Sequence, residues 1–248
     1  MLNEPTIEKL KALRLGGLLA AWTDQQKLPE TNSLGFDERL GMLIDAEWMY
    51  RENKRISRSL KEAKLRITEA CIEGIDYPAK RELDKAIIRQ LQTCQWVHEH
   101  QTVLITGATG TGKSYLACAL ANQACRRGFR ATYRRAPRLF DELKISRADG
   151  TYRTVLGRMA KVDLLVIDDF AVAPISDQER TDLLEVLEDR YGLRSTIVTS
   201  QLPTSSWHDY LGDPTLADAI CDRLVNHAHR IALKGPSRRK PEKNQPET

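Results

Sequence analysis

The sequence lacks both a long apolar run and paired cysteines. No stretch of its 248 residues approaches the roughly 18 apolar residues that a membrane-spanning helix needs, so no membrane association is expected. Residues 1–5 lack the basic-then-apolar order of a signal peptide, which favours a cytoplasmic protein. The five cysteines never form C-x-x-C, and this scattered spacing disfavours a zinc site and indicates reduced thiols that mostly serve packing.

The sequence also has little excess charge of one sign, since its formal net charge is only +4. Its basic residues are nevertheless clustered. Residues 51–66 hold seven basic and two acidic residues, residues 126–147 hold eight and two, and residues 223–243 hold seven and one. A solvated helix face is the usual explanation of one such run, but three runs favour binding to phosphate backbones. The candidate nucleic-acid contacts are Arg51, Lys54, Arg55, Arg58, Arg134, Arg135, Arg138, Lys144 and Arg147.

The hydrophobic pattern divides the chain into four segments. Residues 1–70 carry apolar residues at three- and four-residue spacing and predict a small all-helical domain. Residues 71–98 predict an extended linker followed by a leading helix over about 80–94. Over residues 99–234, five short apolar strands alternate with helices, which is typical of a parallel sheet covered on both faces. Residues 235–248 are basic and rich in proline, and they predict a disordered tail.

A glycine-rich loop follows the first predicted strand and precedes a helix. Residues 107–114, Gly-Ala-Thr-Gly-Thr-Gly-Lys-Ser, fit the pattern G-x-x-x-x-G-K-[ST]. The glycines let backbone N–H groups face phosphates, Lys113 is expected to reach the β- and γ-phosphates, and Ser114 to offer its hydroxyl to Mg²⁺. The loop therefore predicts ATP binding, with candidate contacts at Gly107, Ala108, Thr109, Gly110, Thr111, Gly112, Lys113, Ser114 and Tyr115.

Polar residues follow the next strands of the predicted sheet. Asp168 and Asp169 come directly after four apolar residues, at the carboxyl end of a strand, where sites of α/β proteins lie. Asp168 is predicted to hold Mg²⁺, and Asp169 to polarise the attacking water as a general base. Gln201, or else Thr199, ends the following strand and is a candidate to orient that water, although a simple turn before a proline is the alternative.

Three arginines are further candidates to contact phosphate. Arg223 lies near the end of a predicted helix and suits an arginine finger that reaches the nucleotide of a neighbouring subunit. The alternative is an ion pair with Asp222 or Asp218 in the same chain. Arg238 and Arg239 are the other cations that could approach a phosphate, and the alternative is that they simply belong to the basic tail.

Together these motifs resemble the IstB-type insertion-sequence helper ATPases, of the AAA+ initiator clade that also holds the DnaC helicase loader. The resemblance runs to about Arg239, and its signatures are VLITGATGTGKSYLA, APRLFDELKISRADGTY, LLVIDDF, IVTSQLP and AICDRLVNHAHRIALKG. It implies an AAA+ core with a five-stranded parallel sheet, preceded by the helical domain, with a C-terminal lid that is reduced or absent. It also implies a homo-oligomer that assembles with ATP on double-stranded DNA and recruits and stimulates an IstA-type transposase.

The resemblance assigns roles residue by residue. It makes residues 107–114 the Walker A loop, Asp168 and Asp169 the Walker B acids, Gln201 sensor 1 and Arg223 the finger. Arg239 is a candidate sensor 2, and the helical insertion that faces DNA in this clade corresponds to residues 134–152. The chain departs from the pattern at Asp169, where most AAA+ proteins have Glu, and the shorter acid predicts slow hydrolysis. It departs again at Gln201, where Asn is usual.

Three other functions compete with the transposition helper. A replicative helicase loader would share ATP and DNA binding but differ in its partner, and the long helical N-terminal domain favours the insertion-sequence type. A small-molecule P-loop kinase would need a second substrate pocket and usually an Arg-rich lid. A clamp that binds ATP without hydrolysing it is compatible with the Asp-Asp pair.

Overall fold

A computed structural model describes residues 4–28, 31 and 33–238. The chain divides into two compact units, Met1–Arg58 and Ser59–Thr248, and the division falls before the domain boundary predicted at residue 70. Among the described residues, no helix has both the length and the apolar composition needed to cross a membrane.

The first unit is helical, as predicted. It contains α1 (Glu4–Ala12), α2 (Gly16–Gln25) and most of α3 (Phe36–Ala63). The glycine pair at 16–17 begins α2. A Cβ added at Gly17 would stand 2.5 Å from the Cβ of Tyr50, so the absent side chain lets the two helices approach closely.

The second unit contains a five-stranded sheet, which confirms the predicted α/β class. The strands are β1 (Val103–Gly107), β2 (Ala131–Arg135), β3 (Leu164–Phe170), β4 (Ser195–Ser200) and β5 (His229–Leu233). Their spatial order is β2-β3-β4-β1-β5, and every neighbouring pair is parallel.

Helices cover both faces of this sheet because successive strand residues point to opposite sides and both sides are apolar. In β1, Val103 and Ile105 pack on one side and Leu104 on the other. The first side is covered by α4 (Lys85–Gln92), α5 (Gln95–His98) and α6 (Lys113–Arg126). The second is covered by α7 (Ala136–Ala148), α8 (Tyr152–Lys161), α9 (Asp177–Glu188), α10 (Trp207–Leu211) and α11 (Pro214–Val225).

The leading helix predicted over residues 80–94 is wrong in its first part. A 3₁₀ turn, Ala79–Arg81, ends at Glu82, whose φ of 52° lies in the left-handed region and interrupts helical hydrogen bonding. The chain then restarts as α4 because the Asp84 carboxylate accepts a hydrogen bond from the Ala86 N–H at 2.7 Å. Arg81, the last residue of the 3₁₀ turn, thus precedes α4 and lies beside the glycine-rich loop.

Candidate active site

The glycine-rich loop joins β1 to α6 and owes its shape to three glycines. Gly107, Gly110 and Gly112 have φ values of 146°, 85° and 94°, which residues with side chains rarely adopt. Lys113 is only 7% exposed, and its Nζ donates to the carbonyl oxygens of Gly107 at 2.7 Å and Ala108 at 2.9 Å. The lysine ammonium therefore lies inside the curl of the loop, beside the backbone that leads into the N-terminus of α6.

Asp168 forms the buried centre of the site. Its carboxylate is fully buried and accepts hydrogen bonds from Ser114 Oγ at 3.0 Å, from Thr199 Oγ1 and from the Tyr133 hydroxyl. Burial raises the pKa of Tyr133, and its hydrogen bond to Asp168 raises it further, so this phenol stays a donor. Three hydroxyls thus fix the orientation of one carboxylate next to the start of α6.

Asp169, the next residue, has a strained backbone, and its carboxylate contacts arginines instead of hydroxyls. Its φ of 58° is uncommon for a residue with a side chain, and its N–H donates to Thr199 Oγ1 at 3.1 Å. Its carboxylate accepts from Arg135 Nε at 2.9 Å and lies 3.4 Å from Arg66 Nη1. Burial lowers the pKa of Arg66, but Tyr133 and the two acids outweigh burial and raise it, so the guanidinium stays charged beside them.

These groups meet in a cleft of about 530 Å³ at the carboxyl ends of β1, β3 and β4. Of the residues predicted from sequence to contact the nucleotide or its water, the cleft is lined by Thr109, Gly110, Gly112, Lys113, Ser114, Tyr115, Asp169, Gln201 and Arg238. Arg135, which was predicted to contact DNA, lines the cleft as well. Asp168 lies beneath it through its bond to Ser114. A loop of backbone donors, a lysine, a hydroxyl, two carboxylates and an amide around one cleft suit a polyphosphate and a hydrolytic water.

A family model described as IstB-like ATP binding protein matches residues 8–246. The chain belongs to this family. The insertion sequence ATP-binding protein y4pL of Sinorhizobium fredii is 45% identical over 240 residues, which cover 97% of this chain and 98% of that protein. The ATP-binding protein of insertion sequence IS1162 from Pseudomonas fluorescens is 46% identical over 206 residues, covering 83% of this chain and 89% of its own length.

Solved structures place this IstB-like chain in the AAA+ fold. The DnaC helicase loader superposes with a TM-score of 0.56 at 21% identity, over 66% of this chain and 97% of that one. DnaA bound to AMPPCP and single-stranded DNA superposes with a TM-score of 0.56 at 18% identity, over 68% of this chain and 50% of that one. Together, the family and the fold make this chain an ATP-binding P-loop ATPase, as predicted.

Among the predicted phosphate contacts, Arg223 lies outside the cleft of this IstB-like chain. Arg223 forms an ion pair with Glu188 and donates to the carbonyl oxygen of Ala219 at 2.8 Å. It borders a separate depression with Tyr191 and therefore cannot serve the nucleotide of its own chain from this position. Within the chain, Arg223 therefore pairs mainly with Glu188, and its Nη1 lies 3.9 Å from a carboxylate oxygen of Asp222. Another predicted contact, Arg239, lies outside the described residues.

The basic clusters of the IstB-like chain are partly neutralised by acids. Arg51 pairs with Glu47 and Arg55 with Glu52, while Lys54 lies over the ring of Tyr50. In the core, Arg134 pairs with Glu142, Arg147 pairs with Asp182, and Arg135 belongs to the nucleotide cleft. Arg138 and Lys144 are exposed on α7, and the described residues show no ion pair for either.

Sequence reasoning missed three side chains of the site. Tyr133 comes from the middle of β2, where an aromatic residue looks like ordinary sheet packing. Arg66 was counted only as part of a basic run, and Arg81 only as part of the predicted leading helix. No local pattern could have shown that both arginines reach the cleft, because they lie far from the loop in sequence.

Proposed function

We propose that this chain is an ATP-dependent helper of transposition, which oligomerises on duplex DNA and recruits and stimulates its partner transposase. The observation that carries the proposal is the likeness to insertion-sequence ATP-binding proteins across 97% of the chain, including the N-terminal helices. The second candidate, a replicative helicase loader, is less well supported because DnaC resembles only 66% of the chain and only in its fold.

In this proposal, the two parts of the chain have separate tasks. The helical domain, residues 1–70, helps to bind DNA or to position subunits, and residues 99–234 form the ATPase core. Arg138 and Lys144 on α7 offer exposed cations to DNA phosphates. Because the contacts proposed are to the backbone, binding is expected to be largely independent of DNA sequence and to weaken as salt rises.

The nucleotide would be held by backbone N–H groups of the loop and by the ammonium of Lys113, which offers its charge to the phosphates in place of two carbonyls. Asp169 would accept a proton from the attacking water, and Gln201 would orient that water from the end of β4. Release of Asp169 from Arg135 and Arg66 must precede this step, because both guanidinium groups lie against the carboxylate oxygen Oδ2 that the water would otherwise approach.

The residues also fit a magnesium ion. Mg²⁺ usually takes only one or two protein oxygens, together with waters and substrate phosphates. Ser114 Oγ and the Asp168 carboxylate, 3.0 Å apart, provide such a pair next to the loop. When bound, the ion would neutralise charge that develops on the phosphates. The described residues contain no cluster of three His, Cys, Asp or Glu side chains that could hold a metal without such help.

The test is reconstitution with the transposase of the same element. Strand transfer into a plasmid would be measured with transposase alone, with transposase and this protein, and with ATP or ADP. Electron microscopy of the ATP-bound protein with duplex DNA would be run in parallel. The proposal expects ATP-dependent rings or filaments on DNA and higher strand transfer. Assembly without any effect on strand transfer, together with loading of a hexameric helicase onto DNA, would instead support the helicase loader.

A further inference from the structure

Arg81 is a buried cation at the edge of the nucleotide cleft. Its side chain is only 4% exposed, and its Nη1 donates to the backbone carbonyl of Asp76 at 2.7 Å. Within the described part of the chain, its Nε has no hydrogen-bond partner and no carboxylate forms an ion pair with it. The nearby Asp76 carboxylate is already paired with Arg238. Arg81 thus combines deep burial with an incomplete set of partners.

The guanidinium of Arg81 points at the glycine-rich loop. Its Nη2 lies 2.8 Å from the position that a Cβ on Gly112 would occupy, directly before Lys113. Arg81 also lines the cleft together with Lys113 and Ser114. One edge of the guanidinium is therefore anchored on the linker, while the other faces the loop that binds phosphate.

The backbone of Arg81 is held in place by the chain that follows β5. The carbonyl oxygen of Arg81 accepts a hydrogen bond from the Lys234 N–H at 3.1 Å, and Lys234 Nζ pairs with Glu82 at 2.9 Å. Farther on, the Arg238 N–H donates to the Gly110 carbonyl at 2.8 Å. The position of Arg81 relative to the loop is thus set by contacts on both sides.

Burying a cation without an acid is unfavourable, and here the surroundings increase that cost. Burial lowers the pKa of Arg81, and the neighbouring Arg238 lowers it further, with only partial compensation from Asp76. A buried charge is stable in proteins when an opposite charge and hydrogen bonds satisfy it. An anion in the cleft would supply both, and the loop next to Arg81 is built to bind a polyphosphate.

We propose that Arg81 is a nucleotide-binding residue, which donates from its free edge to a phosphate of ATP. It approaches from the linker side of the loop, opposite Asp169 and Gln201. The inference rests on ATP binding at the loop and does not depend on the proposed roles in DNA binding or transposition.

The test compares Arg81→Met, Arg81→Lys and the control Arg89→Met in the full chain. Arg89 is an exposed arginine on α4, so its change removes the same charge outside the cleft. Calorimetry would give affinities for adenosine, ADP and a non-hydrolysable ATP analogue. Arg81→Met should weaken ADP and the analogue by about 10- to 100-fold, the value of a charge-assisted hydrogen bond, and leave adenosine within about 2-fold. Arg81→Lys, which keeps the charge, should lose less, and Arg89→Met should match wild type.

Equal weakening of adenosine and ADP in both Arg81 variants would overturn the proposal, because it would show that Arg81 only shapes the cleft. Unchanged affinity for ADP and for the analogue in Arg81→Met would overturn it as well. If Arg81→Met proves unstable in thermal melting, Arg81→Lys decides by the same criterion, since it retains the long side chain and charge. A wild-type chain that binds no nucleotide would instead contradict ATP binding itself.

Discussion

At the scale of single residues, the two adjacent acids that were predicted to form Walker B have different environments. Asp168 is buried under three hydroxyl donors, whereas Asp169 is turned by its positive φ toward Arg66 and Arg135. The first acid is therefore fixed in one orientation, and the second is held by ion pairs that a ligand can compete for. This difference makes Asp169 the better candidate for a group that changes partners during the reaction.

Replacing Asp169 with Asn should separate binding from hydrolysis. The amide keeps the volume of the side chain but accepts no proton, so hydrolysis should fall by at least about 100-fold while ATP still binds. Phosphate release and binding of a fluorescent ATP analogue would be measured on the same sample. Asp169→Glu is the matched control, because it restores an acid and tests whether the shorter side chain slows the reaction. Full hydrolysis by Asp169→Asn would exclude Asp169 as the base.

Replacing Lys113 with Ala should remove nucleotide binding. The loop would lose its only buried ammonium, and affinity for ATP should drop by about 100-fold or more. Lys85→Ala, which removes an exposed lysine on α4, is the control for loss of charge alone. Equilibrium binding of a fluorescent ATP analogue is the measurement. The same affinity in Lys113→Ala and wild type would contradict the assignment of this loop.

How much of the site the sequence reveals depends on distance along the chain. The loop from Gly107 to Ser114 is a local pattern whose glycines and lysine serve one function together, so it could be predicted. Asp168 was predictable because it ends an apolar strand. Arg66 and Arg81 were not, because only the folded linker brings them to the loop.

At the scale of elements, α7 is the part of the ATPase core best suited to contact DNA. Of the five cations predicted over residues 134–147, the two in β2 and Arg147 are paired with acids, whereas Arg138 and Lys144 on α7 are exposed. Changing both to Gln should reduce the salt dependence of duplex binding by about two counterions. Fluorescence anisotropy over a series of salt concentrations would measure the slope.

Lys85→Gln with Arg89→Gln is the matched control for this experiment, because it removes the same charge from α4 on the opposite side of the sheet. The control should keep the wild-type slope. If the α7 variant keeps it too, the DNA contacts lie elsewhere, and the run over residues 51–66 becomes the next candidate.

Elements of the core were predictable because strand burial and helix periodicity agree there. All five predicted strands are present, since each is a short apolar run between turn residues. The turn at Glu82 and the short helices α5 and α10 were missed. Each is only a few residues long and depends on contacts within the folded chain, which leave no periodic signal.

At the scale of the whole molecule, Arg223 is the residue predicted to reach a neighbour in the proposed oligomer. It lies away from its own cleft and pairs with Glu188, so a role in hydrolysis requires another subunit. Arg223→Ala should lower DNA-stimulated hydrolysis by about 100-fold or more, while leaving ATP binding intact. Arg153→Ala, which removes an exposed arginine from α8, should have little effect.

Mixing the two inactive variants tests whether this arginine acts between subunits. In a mixture of Arg223→Ala with Asp169→Asn, the intact clefts of the first would receive the arginine of the second. Hydrolysis should therefore recover to a measurable fraction of wild type. No recovery, in a mixture shown by crosslinking to contain both subunits, would mean that Arg223 only supports the fold of its own chain.

The short segment after β5 has a practical consequence. Its backbone hydrogen bonds to Arg81 and Gly110 connect the nucleotide cleft to residues 234–238. Truncation of the chain after β5 would remove the N–H donors of Lys234 and Arg238 together. An affinity tag or fluorescent protein fused near residue 238 would disturb the same two hydrogen bonds. Fusions for biochemistry therefore belong near residue 1.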